Sequence, residues 1–371
     1  MSAHVEIPPR SGVWRSTGSG QVRFNDNGIT EAVDFALENE TDWAADLSEQ
    51  KAIARDEPPP WNEVLGPLKP RGGPAGVIVN KGKLIAEWGN PERVDTTFSA
   101  TKSYIALCAI VALKLGLIRD LDDRLRDYDL SDHFEASQNR PISWRHLLQQ
   151  TSEWEGTLWT KPDQVDRNRQ VGPGSQDSVK GGPRELKVPG THWEYNDVRV
   201  NRTALALLAV WNEPLPDVLK REVMDQIGAS SSWEWHGYEH HSEVNLDGLV
   251  TESVSGGAHW GGGLWINTLD HARFGLLYLN RGKWGDHQIV SDQWIDMMTT
   301  PCDKNDQYGY MWWLNTGHAR YGKHASESSF AASGAGGNCV VIDPEKGLVV
   351  VTRWCEDVTG VFDLAAQAVG S

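Results

Sequence analysis

Cysteine is scarce in this 371-residue chain: Cys108, Cys302, Cys339 and Cys355 are the only four, and no two form a C-x-x-C pair. This argues against a disulfide framework or a cysteine-built zinc site. Cys108 and Cys339 lie inside apolar runs and read as reduced core residues. Positive charge is also short, with 35 Lys and Arg against 51 Asp and Glu, a net charge of -16. Nucleic-acid binding needs a basic face, so no nucleic-acid partner is expected, and a polyanionic substrate is disfavoured. Neutral or cationic small molecules suit this field, although the same charge also serves solubility. No apolar stretch stays free of charge for the length of a membrane span, so no membrane partner is expected. The opening "MSAHVEIPPRSGVW" lacks the charged start, apolar run and cleavage site of a signal peptide, and the expected compartment is cytoplasmic. There is no G-x-S-x-G elbow and no internal repeat, which removes the α/β-hydrolase arrangement and the solenoids.

What is present suits a folded enzyme-sized chain. Hydrophobic content is 39% and charged content 23%, and 18 tryptophans supply large aromatic surfaces for a core or a cleft. Residues 1–60 read as an N-terminal arm containing one helix over "EAVDFALENE" and ending at the proline stop "DEPPPW". Next, "GVIVNKGKLIAEWG" reads as two strands joined by Asn80-Lys81-Gly82, with Gly82 available for positive φ. A buried helix is expected from about Ser99 to Leu117, then a short helix capped by Ser143, polar loops over 153–190, and helices in "NRTALALLAVW", "PDVLKREVMDQI", "LDHARFGLLYLNRG" and "SDQWIDMM". The last stretch returns to strands in "YGYMWWLN", "GGNCVVID" and "KGLVVVTRW" before a closing helix, "DLAAQAV". Strands at both ends with helices between them predict a mixed α/β fold. One antiparallel sheet (about 61–98 and 300–371) is flanked by helices and joined to a mainly helical subdomain (about 99–299), all within one domain over 61–371.

Within "DTTFSATKSYIALCAIVALKLGLI", Ser99 and Lys102 stand three apart, on one face of a helix. A serine hydroxyl attacks a carbonyl only if a base takes its proton, and apolar walls such as "YIALCAIVAL" lower a lysine's pKa enough to make it that base. The spacing alone is common. Its place between a hairpin and a buried helix gives it weight.

Four segments in order extend the pattern. "TTFSATKSYIALCAIVALKLGLIRDLDDRL" with "ISWRHLLQQTS", then "VPGTHWEYNDVRVN", "GGGLWINTLDHARFGLLYLNRG" and "ASGAGGNCVVIDPEKGLVVV" together resemble the serine β-lactamase-like superfamily. More narrowly they are similar to the class C β-lactamase-related hydrolases, which include esterases, D-amino-acid peptidases and amidases, and nylon-oligomer hydrolases. The resemblance covers about Gly76 to Thr352. It implies a β-lactamase/transpeptidase-like fold, Ser99 as nucleophile, Lys102 as base or proton shuttle, and Tyr195 as a phenol that relays the proton to the leaving group. It also implies an oxyanion hole made by the amides of Ser99 and Ala335, with Gly334 and Gly336 letting the strand approach the ligand.

The chain departs from the family at two points. The family places an asparagine two residues after the tyrosine, and here that residue is Asp197, with Asn196 and Asn201 as neighbouring amides. The third motif usually opens on a cation, and here it reads Ala332, Ser333, Gly334. In β-lactamases and peptidoglycan peptidases that cation helps to recognise a substrate carboxylate, so its loss argues against a true β-lactamase.

Asp197, His259, Trp260, Gly334 and Trp354 are the expected substrate-binding residues, with Arg353 beside them on the last strand. His259 and Trp260 can equally be a packed pair. The "WHGYEHH" stretch, with His236, Glu239, His240 and His241, fits no metal template and reads as an exposed loop. The sequence therefore predicts a cofactor-free serine hydrolase of a small carboxylic ester or a non-peptidoglycan amide, with no metal and its oligomeric state open. A D-amino-acid amidase, a strict β-lactamase and an inactive binding homologue remain as alternatives.

Overall fold

The computed structural model describes residues 5–8, 14, 26–50, 57–128, 132–171 and 180–370. Parts of the arm expected over 1–60, and residues 172–179 of the expected polar loops, lie outside these.

Two runs of β-forming residues at one end of the chain and four at the other build a six-stranded sheet. β1 (Ala75–Asn80) and β2 (Lys83–Trp88) are joined by Lys81 and Gly82, both at positive φ (51° and 87°), the tight turn that the sequence predicts. β3 (Trp313–Leu314), β4 (Phe330–Gly334), β5 (Asn338–Asp343) and β6 (Leu348–Arg353) complete an antiparallel sheet of order β3-β4-β5-β6-β1-β2. The two halves of the sequence meet where β6 pairs with β1, with Val351 opposite Val77 and Val350 opposite Ile78.

Both faces of the central strands are covered, which is why β1, β5 and β6 read as largely apolar runs buried along their whole length. On one face, Ile78, Val341 and Val350 pack with Ile29, Ala32 and Ala36 of α1 (Asp26–Glu38) and with residues of the closing helix (Val358–Val369). On the other face, Val77, Val79, Val340, Val349 and Val351 join the main core. That core contains α2 (Thr101–Lys114), α3 (Asp197–Trp211) and α4 (Thr268–Leu279). Each fully buried valine or isoleucine contributes about 1.5–3 kcal/mol of transfer free energy to that packing. The observed architecture is the expected one: an antiparallel sheet flanked by terminal helices, with a mainly helical part beside it.

Three local features place the site. α2 is buried from Thr101 to Ala112 with no polar stripe, so a lysine in its first turn is necessarily buried as well. α3 is capped by Asn196, whose side chain accepts from the Arg199 amide at 3.2 Å. A small sheet pairs Gly263–Ile266 with Asp95–Thr96 and with Glu234–His236, tying the start of the α2 region to the glycine-rich turn before α4. Among the described residues no helix is long and apolar enough to cross a membrane.

Candidate active site

Ser99, expected to open the buried helix, lies instead in a 3-10 turn (Phe98–Ala100) that leads into α2 at Thr101. The reason is Phe98, which takes a left-handed φ of 45° and interrupts helical geometry. A phenylalanine in that region costs on the order of 1 kcal/mol or more. Its ring is held edge-on between Trp43 and Trp354, at centroid distances of 5.3 and 6.2 Å, so packing fixes the turn. Gly257 closes it from the other side: a Cβ there would lie 1.9 Å from the Phe98 carbonyl oxygen.

The turn aims Ser99, which is partly exposed, at Lys102, whose side chain is 2% exposed. Lys102 Nζ donates to Ser99 Oγ at 2.8 Å and to the Gly256 carbonyl at 3.2 Å, and it forms an ion pair with Asp197 Oδ1 at 2.8 Å. Burial depresses the Lys102 pKa, and the attraction of Asp197 only partly offsets this. Asp197 is buried too, which alone would raise its pKa. Lys102, Arg169 and His259 hold it well below the ordinary carboxylate range.

Tyr195 comes in from the segment just before α3, and Ser99 lies near enough to its phenol to act on it. Its ring lies 5.1 Å from Lys102 Nζ and 5.2 Å from the Arg169 guanidinium. Burial and the charge of Asp197 raise its pKa, so it stands as a neutral phenol able to donate a proton. Ser99, Lys102 and Tyr195 are thus brought together. Behind Tyr195, Trp313 stacks at 5.6 Å and Tyr308 and Trp193 complete an aromatic wall. Arg320 lies 4.0 Å over the Trp313 ring.

β4 runs directly against the serine turn. A Cβ on Gly334 would lie 2.0 Å from the Thr97 carbonyl oxygen, so glycine is what permits the approach. Ala335 follows, exposed at the start of a turn in which the Asn338 side chain donates to its carbonyl at 2.7 Å.

The other expected binding residues face inward. Trp354 is fully buried beneath that turn, its ring against Phe98 and its indole N–H donating to Asp95 at 3.3 Å. Trp260 is fully buried, donating to Glu57 at 2.9 Å. His259 lies with Nδ1 3.3 Å from Asp197 Oδ2 and Nε2 in a short contact with Glu57. Asn196 serves as the helix cap. Asn201 accepts from the Gly256 amide at 2.8 Å and so positions the carbonyl that receives Lys102. Arg353 is buried, donating to the Asp95 and Thr96 carbonyls at 2.8 and 3.1 Å.

Sequence reasoning missed a group of charges around Asp197. Arg169 donates to Asp197 Oδ2 at 2.8 Å, and Asp166 accepts from the Asp197 amide at 2.8 Å. Lys180 is 2.8 Å from Glu57 and 3.3 Å from Asp166. Glu57, Asp166 and His259 bring one ligand atom each within 4.8 Å of one another, close enough in principle for a cation. The Lys180 ammonium already supplies a counter-charge to both carboxylates. Apart from Asp166, which ends a 3-10 turn (Asp163–Asp166), these residues lie in loops whose sequence carries no periodicity, so no sequence pattern signals them. In "WHGYEHH", His236 pairs with Glu234 at 2.9 Å and His240 lies 3.5 Å from Glu243.

Comparison with known proteins bears on the family and the fold. A protein of Escherichia coli K12 named "Putative D-alanyl-D-alanine carboxypeptidase" is 24% identical over 204 residues, and that match spans about half (47%) of each chain's length. Among solved structures, the D-stereospecific amidohydrolase from Streptomyces superposes with a TM-score of 0.55 at 15% identity, covering 92% of this chain and 98% of that one. EstCE1, described as a hydrolase with promiscuous acyltransferase activity, gives 0.57 at 17% identity, covering 93% and 99%. At these identities the structures speak for the fold alone. The Beta-lactamase family profile matches residues 70–354, which span the serine turn, the tyrosine segment and β4 through β6, and the chain therefore belongs to the Beta-lactamase family of hydrolases.

Proposed function

We propose that the protein is a serine hydrolase of a small carboxylic ester or a non-peptidoglycan amide, working through an acyl-enzyme on Ser99. The observation that carries this reading is the Lys102 amine, desolvated and 2.8 Å from the Ser99 hydroxyl. In its free-base form Lys102 accepts the serine proton as Ser99 Oγ attacks the substrate carbonyl. The amides of Ser99 and Ala335 receive the oxyanion, and the Tyr195 phenol passes a proton to the leaving group. Water then enters, the same groups act in reverse, and the acid leaves. Lys102 is expected to supply about 10²–10⁴-fold of the rate, the usual range for a positioned base.

The substrate class follows from what surrounds the serine. Ala332 replaces the cation of the third motif, which speaks against a peptidoglycan-type carboxylate. The wall of Tyr195, Tyr308 and Trp313 suits an apolar or aromatic acyl group. A second reading, hydrolysis of D-amino-acid amides, draws on the printed names of the Streptomyces neighbour and the Escherichia coli relative.

Intact-mass spectrometry with a fluorophosphonate probe, followed by turnover of short p-nitrophenyl esters, D-amino-acid amides and a chromogenic cephalosporin, tests the proposal. A single adduct lost in Ser99→Ala and turnover of the esters are expected. Cephalosporin hydrolysis without ester turnover would point to a strict β-lactamase. The absence of any Ser99 adduct would leave an inactive binding homologue.

A further inference from the structure

His259 has a place in the charge network that packing alone does not require. Asp197 divides its two oxygens. Oδ1 pairs with Lys102, while Oδ2 accepts from Arg169 and faces His259 Nδ1. The other ring nitrogen of His259 is held by Glu57, which comes from the segment before β1 and is itself fixed by the Trp260 indole and by Lys180. The imidazole therefore bridges two buried carboxylates, and its side chain is 13% exposed. We propose that His259 is a positioning residue that sets the proton affinity of the catalytic Lys102 through Asp197. This rests on the hydrolase reading given above.

The charges that face His259 from each neighbouring element are few. Glu57 and Asp197 touch it, the Lys180 ammonium lies 3.5 Å from Nε2, and Asp166 acts from further off. The formally charged side chains are Lys102, Arg169 and Lys180 against Asp197, Asp166 and Glu57, so they balance and the state of His259 decides the sign of the whole. Burial alone would lower the histidine pKa, but its bonds to Asp197 and Glu57 outweigh this and raise it.

With His259 protonated, Asp197 is shared among three cations and holds the Lys102 proton less firmly. With His259 neutral, Asp197 turns more of its field to Lys102, and the amine keeps its proton to higher pH. The two titrations oppose each other, as groups coupled through one shared charge must. Such coupling is reciprocal: whatever His259 does to Lys102, Lys102 does to His259.

The test has two arms. In His259→Gln the side chain is permanently neutral, and the rising limb of kcat/KM with pH should move upward by about one unit, the size at which coupled sites titrate as a pair. An unmoved limb with a uniformly lower plateau would show a merely structural histidine and overturn the proposal. The second arm does not need that variant to fold or to turn over substrate. NMR titration of the His259 ring should give a higher pKa in Lys102→Met than in the wild type, because Asp197 is then freed for the imidazole. Equal values would overturn the proposal. Labelling of wild-type Ser99 by the fluorophosphonate keeps the two questions apart: labelling without coupling removes only the role of His259, and coupling without labelling removes only the hydrolase reading.

Discussion

Lys102 Nζ and Asp197 Oδ1 form a buried ion pair of 2.8 Å at the position where the family resemblance implies an asparagine amide. A carboxylate at that position favours the protonated lysine, whereas an amide does not. Burial still leaves the Lys102 pKa below the ordinary lysine value of 10.5. Activity that needs the free amine must rise as pH climbs through that depressed value. Asp197→Asn removes the anion, depresses the lysine pKa further, and should move the rising limb of kcat/KM to lower pH. The pH profile on a p-nitrophenyl ester checks this. A limb that moves upward would mean that Lys102 is not the base.

Gly334 offers a test of the approach between β4 and the serine turn. Alanine there would place a methyl carbon 2.0 Å from the Thr97 carbonyl oxygen, and backbone cannot yield as a side chain would. The strand must retreat, taking the Ala335 amide from the oxyanion position. Gly334→Ala should lower kcat by about 10²-fold, the usual consequence of a 1 Å misplacement. The overpacking should also cost about 1–3 kcal/mol of stability. Steady-state kinetics and thermal unfolding measure the two effects separately.

The strands and the terminal helices were legible because each rests on a local signal, whereas Ser99 and Lys102 were singled out by spacing and place and Tyr195 only through the family resemblance. Val77 to Val79 and Val349 to Val351 are apolar runs of strand length, Lys81-Gly82 is a turn dipeptide, and Ser143 is a polar cap ahead of apolar spacing. The left-handed Phe98 was hidden, because the aromatic contacts from Trp43 and Trp354 that hold it come from residues 55 positions before it and 256 after it. The charge network was hidden for the same reason. Glu57, Asp166, Arg169 and Lys180 are ordinary surface residue types in loops or, for Asp166, a short 3-10 turn, and only the fold gathers them around Asp197. His259 and Trp260 were singled out from sequence as candidate pocket residues, but no pattern in "SGGAHWGGG" reveals that the imidazole would bridge Glu57 and Asp197.

Glu153 anchors the base of the same region. Its carboxylate is fully buried, paired with Arg184 at 2.6 Å and Arg199 at 2.9 Å, and both arginines also reach Glu194. Burial would raise its pKa, but the two guanidiniums hold it at about 2, below the ordinary 4.5. A depressed carboxylate contributes stability that is present above about pH 4.5 and is lost as pH falls toward 2. Glu153→Gln leaves the buried Arg199 and the partly buried Arg184 short of an anion and should cost about 3–5 kcal/mol at neutral pH. The deficit should narrow in acid, and denaturant unfolding at pH 7 and pH 3 compares the two.

His271 sets the opposite kind of acid limit close to the nucleophile. The imidazole is buried between Thr97 Oγ1 at 2.6 Å and the Tyr104 hydroxyl at 2.9 Å, one residue pair on each side of the Ser99 and Lys102 turn. Burial, with Arg353 nearby, pushes its pKa well below 6.5, so the folded protein keeps it neutral. The unfolded chain takes up a proton there as pH falls through about 6.5, and the folded chain does not. Stability from this group is therefore present above that pH and is lost below it, by up to about 1.4 kcal/mol per pH unit. His259 has the opposite sign: its raised pKa gives stability that is present below about 6.5 and lost as pH rises through the folded value. In His271→Gln the amide can still accept from one hydroxyl and donate to the other, but it cannot titrate. The stability gap between wild type and this variant should be widest near pH 8 and shrink steadily to pH 5. A gap that stays constant over that range would mean that the His271 pKa is the same folded and unfolded, and a gap that widens in acid would mean that the turn carrying Ser99 is braced by a cation instead of a neutral ring.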